Sequence, residues 1–392
     1  MQGLAAVAVV LRILIGLVFS GSLHLYVWLR ATDVLDLTPR RRRILGGIVI
    51  AMMLSVPLTT SARLWAPGLA TVMAWIALPW LAFVGLATVA LLAGDLPRLF
   101  AWLGRKIARK PVGGLSRREF LGRVTGGAAL AVAGGSVGRG VFEARGEHEV
   151  TTVEVPLAKL PKALDGFSIV QLSDLHTGMT IDRAFVQRVV DRTNALAPDL
   201  IALTGDLVDG PVDGLKDDVA PLGELRAPHG VFAVTGNHEY YAGVDEWIAE
   251  ITRLGARYLR NERVTISRGD AAFDLAGVDD YSADQWFGHG EDLPKAMAGR
   301  DPSRALVLLA HQPRQVHHAV AHGVDLQLSG HTHGGQIWPW HYIVKVQQGG
   351  LLAGSYAVGA TKLYVTRGCG YWGPPVRLLA PLEITRIILR TA

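Results

Sequence analysis

The chain has 392 residues, half of them hydrophobic, with a formal charge of +5 and a single cysteine, Cys369. That length accommodates about two domains and that hydrophobic share points to membrane segments, while one cysteine excludes an intrachain disulfide framework and a cysteine-based zinc site. The basic excess does not argue for a nucleic-acid partner: residues 1–150 hold 17 Lys and Arg against 7 Asp and Glu, a formal +10, and the remainder holds 22 against 27, a formal −5.

Residues 1–94 read as three transmembrane helices. Leu4 to Leu29 is a nearly unbroken apolar run containing Arg12, Ile44 to about Ser61 is a second, and Leu69 to about Ala93 is a third with Pro79 inside it. About 20 such residues cross the hydrocarbon core. The four arginines 40–43 and the basic residues between Arg98 and Arg123 flank these runs, so both segments are expected on the cytoplasmic side. Residues 95–150 then form a basic loop and a weak fourth apolar segment. Within it, Ser116-Arg117-Arg118-Glu119-Phe120-Leu121, followed by a Gly/Ala-rich stretch, resembles a twin-arginine export signal in an internal position. The other readings are an ordinary basic loop before a poor fourth helix, or a segment 124–140 that stays on the cytoplasmic face. The first two carry residues 151–392 outward, to the periplasmic side of a bacterial-type inner membrane.

Residues 151–392 read as one catalytic domain of layered α/β architecture. Apolar strands are predicted at 167–172, 200–204, 231–235, 273–278, 306–310, 326–328, 362–366 and 382–389, with helices at 182–196 and 244–254. Polar clusters follow the strands: Asp174-Leu-His176, Gly205-Asp206-Leu-Val-Asp209, Gly236-Asn237-His238-Glu239, His311, and Gly330-His331-Thr-His333. The carboxyl ends of strands are where open α/β sheets bind ligands. Carboxylates, a carboxamide and imidazoles without a thiolate suit divalent Mn, Fe or Zn. Asp174 and His176, two apart after a strand, are expected to point the same way and share an ion. Asp206 has two oxygens and can bridge two ions. A pair of ions about 3.5–4 Å apart can bind both an attacking hydroxide and a phosphoryl oxygen. Each piece alone is ordinary, but five in order, each after a strand, are not. His289, His317, His318, His322 and His341 have no such context and read as structural, and Cys369 reads as a small residue in a Gly-rich turn.

These motifs resemble the calcineurin-like metallophosphoesterase superfamily over about residues 165–336. The resemblance implies a four-layer α-β-β-α sandwich and two divalent metal ions. Asp174, His176, Asp206 and His333 would hold the first ion, and Asp206, Asn237, His311 and His331 the second. His238 would act on the phosphate and Asp209 would orient a neighbouring imidazole. Tyr240-Tyr241, Gly334-Gly335-Gln336 and the ending from Arg367 to Glu383 are similar to the membrane-associated branch of the superfamily. That branch implies a membrane-anchored phosphodiesterase acting on a phosphate ester, with UDP-2,3-diacylglucosamine-type pyrophosphatases of lipid A synthesis as the alternative. A metal-binding scaffold without catalysis is the reading from another class. The aromatic residues Trp338, Trp340, Tyr342, Tyr371 and Trp372 pack in the core, or else meet a bilayer or acyl chain. The second case implies a lipid-linked substrate.

Overall fold

The computed structural model describes residues 2–63, 65–108, 115–283, 288 and 290–392, with side chains from residue 16 in the first helix and from residue 120 in the fourth. The chain divides into two compact units, residues 1–141 with 373–376, and residues 142–372 with 377–392.

The first unit is helical: α1 (Gln2–Val34), α2 (Pro39–Ala62), α3 (Pro67–Ile107) and α4 (Leu115–Ala144), whose last turn enters the second unit. Thr38 caps α2 through its hydroxyl, and Pro39 follows where a missing N–H costs nothing. At about 1.5 Å per residue α3 runs about 60 Å, roughly twice a hydrocarbon core. Its last third carries Arg98, Arg105 and Lys106. Among the described residues, 39–62, 67–107 and 120–144 are long and apolar enough to cross a membrane. Polar ties join α1 to α3: Trp80 Nε1 donates to His24 Nε2 at 3.0 Å, and Arg30 pairs with Asp95 at 2.7 Å. The Arg117 and Arg118 side chains, on which the export-signal reading turns, lie outside the described residues, as do the Arg12 side chain and His289.

The second unit is built on two six-stranded sheets. The first has the order β1 (Glu149–Leu157), β12 (Glu383–Thr391), β2 (Ser168–Leu172), β3 (Leu200–Leu203), β4 (Val231–Ala233), β5 (Ala256–Tyr258). The second has β10 (Gly354–Val358), β11 (Thr361–Val365), β9 (Leu326–Ser329), β8 (Leu306–Leu309), β7 (Ala271–Gly277), β6 (Glu262–Arg268). Strands β2 to β5 are parallel, as are β7, β8, β9 and β11. Parallel strands buried on both faces need continuous apolar sequence, which Leu200-Ile-Ala-Leu and Leu306-Val-Leu-Leu supply.

Alternate side chains separate the layers. Ile169, Leu200, Phe273, Leu275, Val307, Leu328 and Ile387 meet between the sheets. Val170, Leu172, Ile201 and Leu203 face outward onto α5 (Arg183–Ala195), through Phe185, Val186, Val189 and Val190, and onto α8 (Val244–Arg253), through Trp247 and Ile251. On the far side Ala276, Leu306 and Leu308 pack with α9 (Leu293–Met297) and α10 (Val316–Ala321). The result is helix, sheet, sheet, helix. Helices α6 (Val212–Val219), α7 (Asn237–Ala242) and α11 (His341–Gln347) complete the unit.

Candidate metal centre

Each cluster singled out in the sequence leaves the carboxyl end of a strand and turns sharply. Asp174 and His176 follow β2, Asp206 and Asp209 follow β3, Asn237 and His238 open α7 after β4, His311 follows β8, and His331 and His333 follow β9. Parallel strands put all these ends on one edge, so residues 157 positions apart in sequence meet. His176 Nε2 lies 3.0 Å from His333 Nε2, and His331 Nδ1 lies 3.2 Å from His311 Nε2.

Asp174 and His176 do converge, but not by the extended alternation expected of them. Both are left-handed, at φ 54° and 52°, as are Asp206 (55°), His331 (70°) and His333 (52°). A non-glycine residue held there costs on the order of 1–3 kcal/mol, and such strain concentrates where function demands it. The turns also need missing side chains. A Cβ on Gly236 would strike the Asp206 carboxylate, and one on Gly330 would strike Ser173 and Asp174. Glycine is therefore required at both for the loops to close on the centre.

The donor set fits divalent cations. Asp174, His176 and His333 form one group able to hold an ion, Asp206, His311 and His331 a second, and His176, Asp206 and His238 a third. Asn237 Oδ1 is buried with no hydrogen-bond partner among the described residues, a costly state for an amide oxygen unless a cation takes it. The histidine tautomers agree. His311 Nδ1 lies 2.8 Å from the Thr204 carbonyl oxygen, which only accepts, so Nδ1 carries a proton and Nε2 is the nitrogen left to take an ion in place of a proton. His176 Nδ1 is likewise committed to Asp209 Oδ1 at 2.7 Å. That second partner fixes the ring and raises its basicity as a ligand.

The electrostatics follow from crowding. Burial opposes charge on His311, yet Asp206, 3.1 Å away, holds its pKa well above the usual value. The pull that carboxylate exerts on a proton is the pull it would exert on a metal ion. Burial, helped by His311, pushes His331 down to about 3, and burial with His176 lowers His333, as suits neutral ligands. Burial raises Asp174. On Asp206 burial is outweighed by His311 and His238, which hold it well below the usual carboxylate range.

His238 and Asp209 adjoin the two groups that match the expected ligands, and His238 N donates to Asp206 Oδ1 at 2.8 Å. One oxygen of Asp209 is 2.7 Å from both His176 Nδ1 and His238 Nδ1. Burial disfavours the His238 cation, but Asp206 and Asp209 prevail and lift it to about 9. Its ring is only partly buried.

Several contributors escaped sequence reasoning. Glu239, quoted in its motif without a role, is buried, and its carboxylate accepts from the backbone N–H groups of Asp206 (2.9 Å), Leu207 (2.6 Å) and Gly236 (2.7 Å). Asp280 is buried beside the centre, bonded by Gln312 Nε2 at 3.0 Å, and pushed up to about 6 by burial and, after it, by Asp206. It too follows a strand, β7, so the rule that found the other clusters would have found it. Arg377, wholly buried, donates to the carbonyl oxygens of His333 (3.1 Å), Ala380 (3.1 Å) and Arg367 (2.9 Å). It ties the closing loop to the His333 turn. His317 and His318 are exposed, His322 and His341 are half-buried, and none joins the centre. Tyr371 is core, whereas Trp338, Tyr342 and Trp372 are exposed.

The family described as calcineurin-like phosphoesterase matches residues 167–335. The chain is similar to a transmembrane protein with metallophosphoesterase domain from Bos taurus, 42% identical over 265 residues, covering 64% of this chain and 60% of that protein. It is similar to an uncharacterized metallophosphoesterase of Helicobacter pylori, 39% identical over 253 residues, covering 64% and 66%. To an uncharacterized metallophosphoesterase of Bacillus subtilis it is 32% identical over 287 residues, covering 71% and 98%. The chain spans under two thirds of the length of the first two relatives.

Proposed function

The chain belongs to the calcineurin-like metallophosphoesterase family, and on that footing we propose that it is a membrane-anchored, two-metal phosphodiesterase whose substrate is a lipid-linked phosphate ester. The observation that carries this reading is the meeting of seven ligand-type side chains on one buried edge, with a histidine and its orienting carboxylate beside them. Asp174, His176, Asp206 and His333 would hold one divalent ion, and Asp206, Asn237, His311 and His331 the other. When bound, such a pair supplies Lewis acidity toward water and phosphoryl oxygens.

The remaining work falls to the chain. Asp209 accepts from His238 Nδ1, which leaves Nε2 free of that bond. Asp206 and Asp209 favour its protonated form, and from Nε2 His238 can hand a proton to the leaving oxygen. Arg367, anchored on Glu383 at 2.9 Å and packed beside Gly334, brings a further positive charge to the rim. The curated relatives come from cattle and bacteria alike, so the compartment is proposed from the chain's own charges: an inner or plasma membrane, with the catalytic unit on the outer side.

The test uses the full chain in detergent, stripped of metal and reloaded with Mn or Zn. Bis-p-nitrophenyl phosphate hydrolysis should require the metal. Asp206→Asn should lose most metal uptake and activity together. His238→Ala should lose about 10²- to 10⁴-fold in kcat, most with a poor leaving group. A metal-stripped Asp206→Asn protein with full activity would overturn the reading.

A further inference from the structure

The second unit exposes few large apolar side chains, and they are not scattered. Apart from Phe142 in the last turn of α4, every exposed large hydrophobic residue of this unit, among the described residues, falls at Tyr241, at Trp372 and Leu379, or between Trp338 and Val346. These places form one rim. Gln336 exchanges two hydrogen bonds with the Trp372 backbone, each 2.9 Å. Trp338 N donates to Leu378 O at 3.2 Å, and Leu378 N donates to Gln336 O at 2.9 Å. The rim borders the centre: the His238 ring lies 5.4 Å from that of Tyr241 and 6.1 Å from that of Trp372.

Within it α11 is unusual, because none of its seven residues is buried. Tyr342, Ile343 and Val346 stand at i, i+1 and i+4, one stripe of the helix, and Val346 is 81% exposed. Contiguous apolar surface of this kind on an otherwise polar unit marks a binding face.

We propose that this collar is a bilayer-docking surface, seated at the membrane–water interface so that the metal centre meets phosphoester headgroups in the plane of the membrane. Two observations select a bilayer as its occupant. Trp and Tyr beside Lys345 is interfacial composition, the rings at headgroup depth and the ammonium reaching water. The same chain also carries helices long and apolar enough to cross a membrane, so a bilayer is always at high effective concentration. Docking stands on the collar and the apolar helices; only the headgroup as substrate rests on the phosphodiesterase reading.

The test is fluorescence of the full chain, one copy per lipid nanodisc. Val346→Cys is labelled with an environment-sensitive dye; the other thiol, Cys369, is buried and out of reach. Arg253→Cys, on the exposed side of α8, is the reference. Docking predicts that doxyl-labelled lipid quenches the dye at 346 several-fold more than at 253, while iodide quenches it less. Iodide access equal at both positions overturns the proposal. So does a dye shielded from iodide yet untouched by lipid, the result expected if protein covers the collar. Val346→Asp should lower the ratio of vesicle-embedded to soluble diester hydrolysis about tenfold, the value of one buried aliphatic side chain. Lipid quenching in a protein that hydrolyses neither diester would support docking and remove the phosphodiesterase reading.

Discussion

At the scale of single residues, the centre depends on carboxylates that are themselves held. Glu239 is the clearest case. Its two oxygens accept three backbone N–H groups, and two of those belong to Asp206 and Gly236, the residues that must meet at the metal edge. Burial and the nearby Asp206 push its carboxyl upward, and the N–H donors pull against them. Glu239→Gln places an amide N–H against a backbone N–H, leaving buried donors facing each other at about 1–3 kcal/mol. The expected outcome is a lower melting temperature together with weaker Mn binding, with Glu239→Ala worse on both counts. Calorimetry on the full chain checks it. Unchanged metal affinity in a destabilised Glu239→Gln protein would show that Glu239 supports the fold and not the geometry of Asp206. Asp280, which follows β7, was passed over, but the ligand-type side chains of the five motifs were legible in the sequence, because each cluster follows an apolar strand. What holds them was not, because a carboxylate that caps three loop N–H groups leaves no periodic trace.

At the scale of elements, the parallel strands were the readable part. Leu200-Ile-Ala-Leu and Leu306-Val-Leu-Leu have no polar face, which only strands covered on both sides tolerate. The weaker strands β1, β5, β6 and β10 and the short helices escaped notice, since their patterns are partly exposed and mixed. Helix α8 shows how an element reaches the site from behind. Trp247 is wholly buried, and its Nε1 donates to Gly210 O at 2.8 Å, one residue after Asp209. Trp247→Phe keeps most of the packing and gives up that bond, an expected loss of about 1 kcal/mol. Trp247→Ala also opens a cavity and should cost about 3–5 kcal/mol. Denaturant titration separates the two. Because the bond steadies the loop that carries Asp209, Trp247→Phe should also lower kcat for poor leaving groups. Equal stability and equal kcat in the Phe variant would remove the link between α8 and His238.

At the scale of the whole molecule, the division of charge carries the proposed orientation of the chain. The +10 of residues 1–150 is concentrated in two segments, 40–43 and 98–123, and the unit that carries the metal edge has no basic field to draw in an anionic ester. In the proposed reading its attraction for phosphate is local, from the bound ions, His238 and Arg367, and the basic segments serve topology. Lys and Arg near helix ends favour the cytoplasmic side, so the proposed topology takes the segment after residue 123 across and the catalytic unit outward. Two routes satisfy that sign: export through the Arg117-Arg118 motif, or plain insertion of α4 as a spanning helix. They separate on one substitution. In bacterial spheroplasts, added protease should digest residues 151–392 of the full chain without lysis. Arg117→Lys with Arg118→Lys keeps the charge but destroys a twin-arginine motif. Protection of the unit in that variant indicates the export route, because charge alone would leave topology unchanged. Digestion as before indicates an ordinary helix oriented by charge. A unit that stays protected in the unaltered chain would overturn the outward placement, and the acidic catalytic half would then face the cytoplasm together with the arginines.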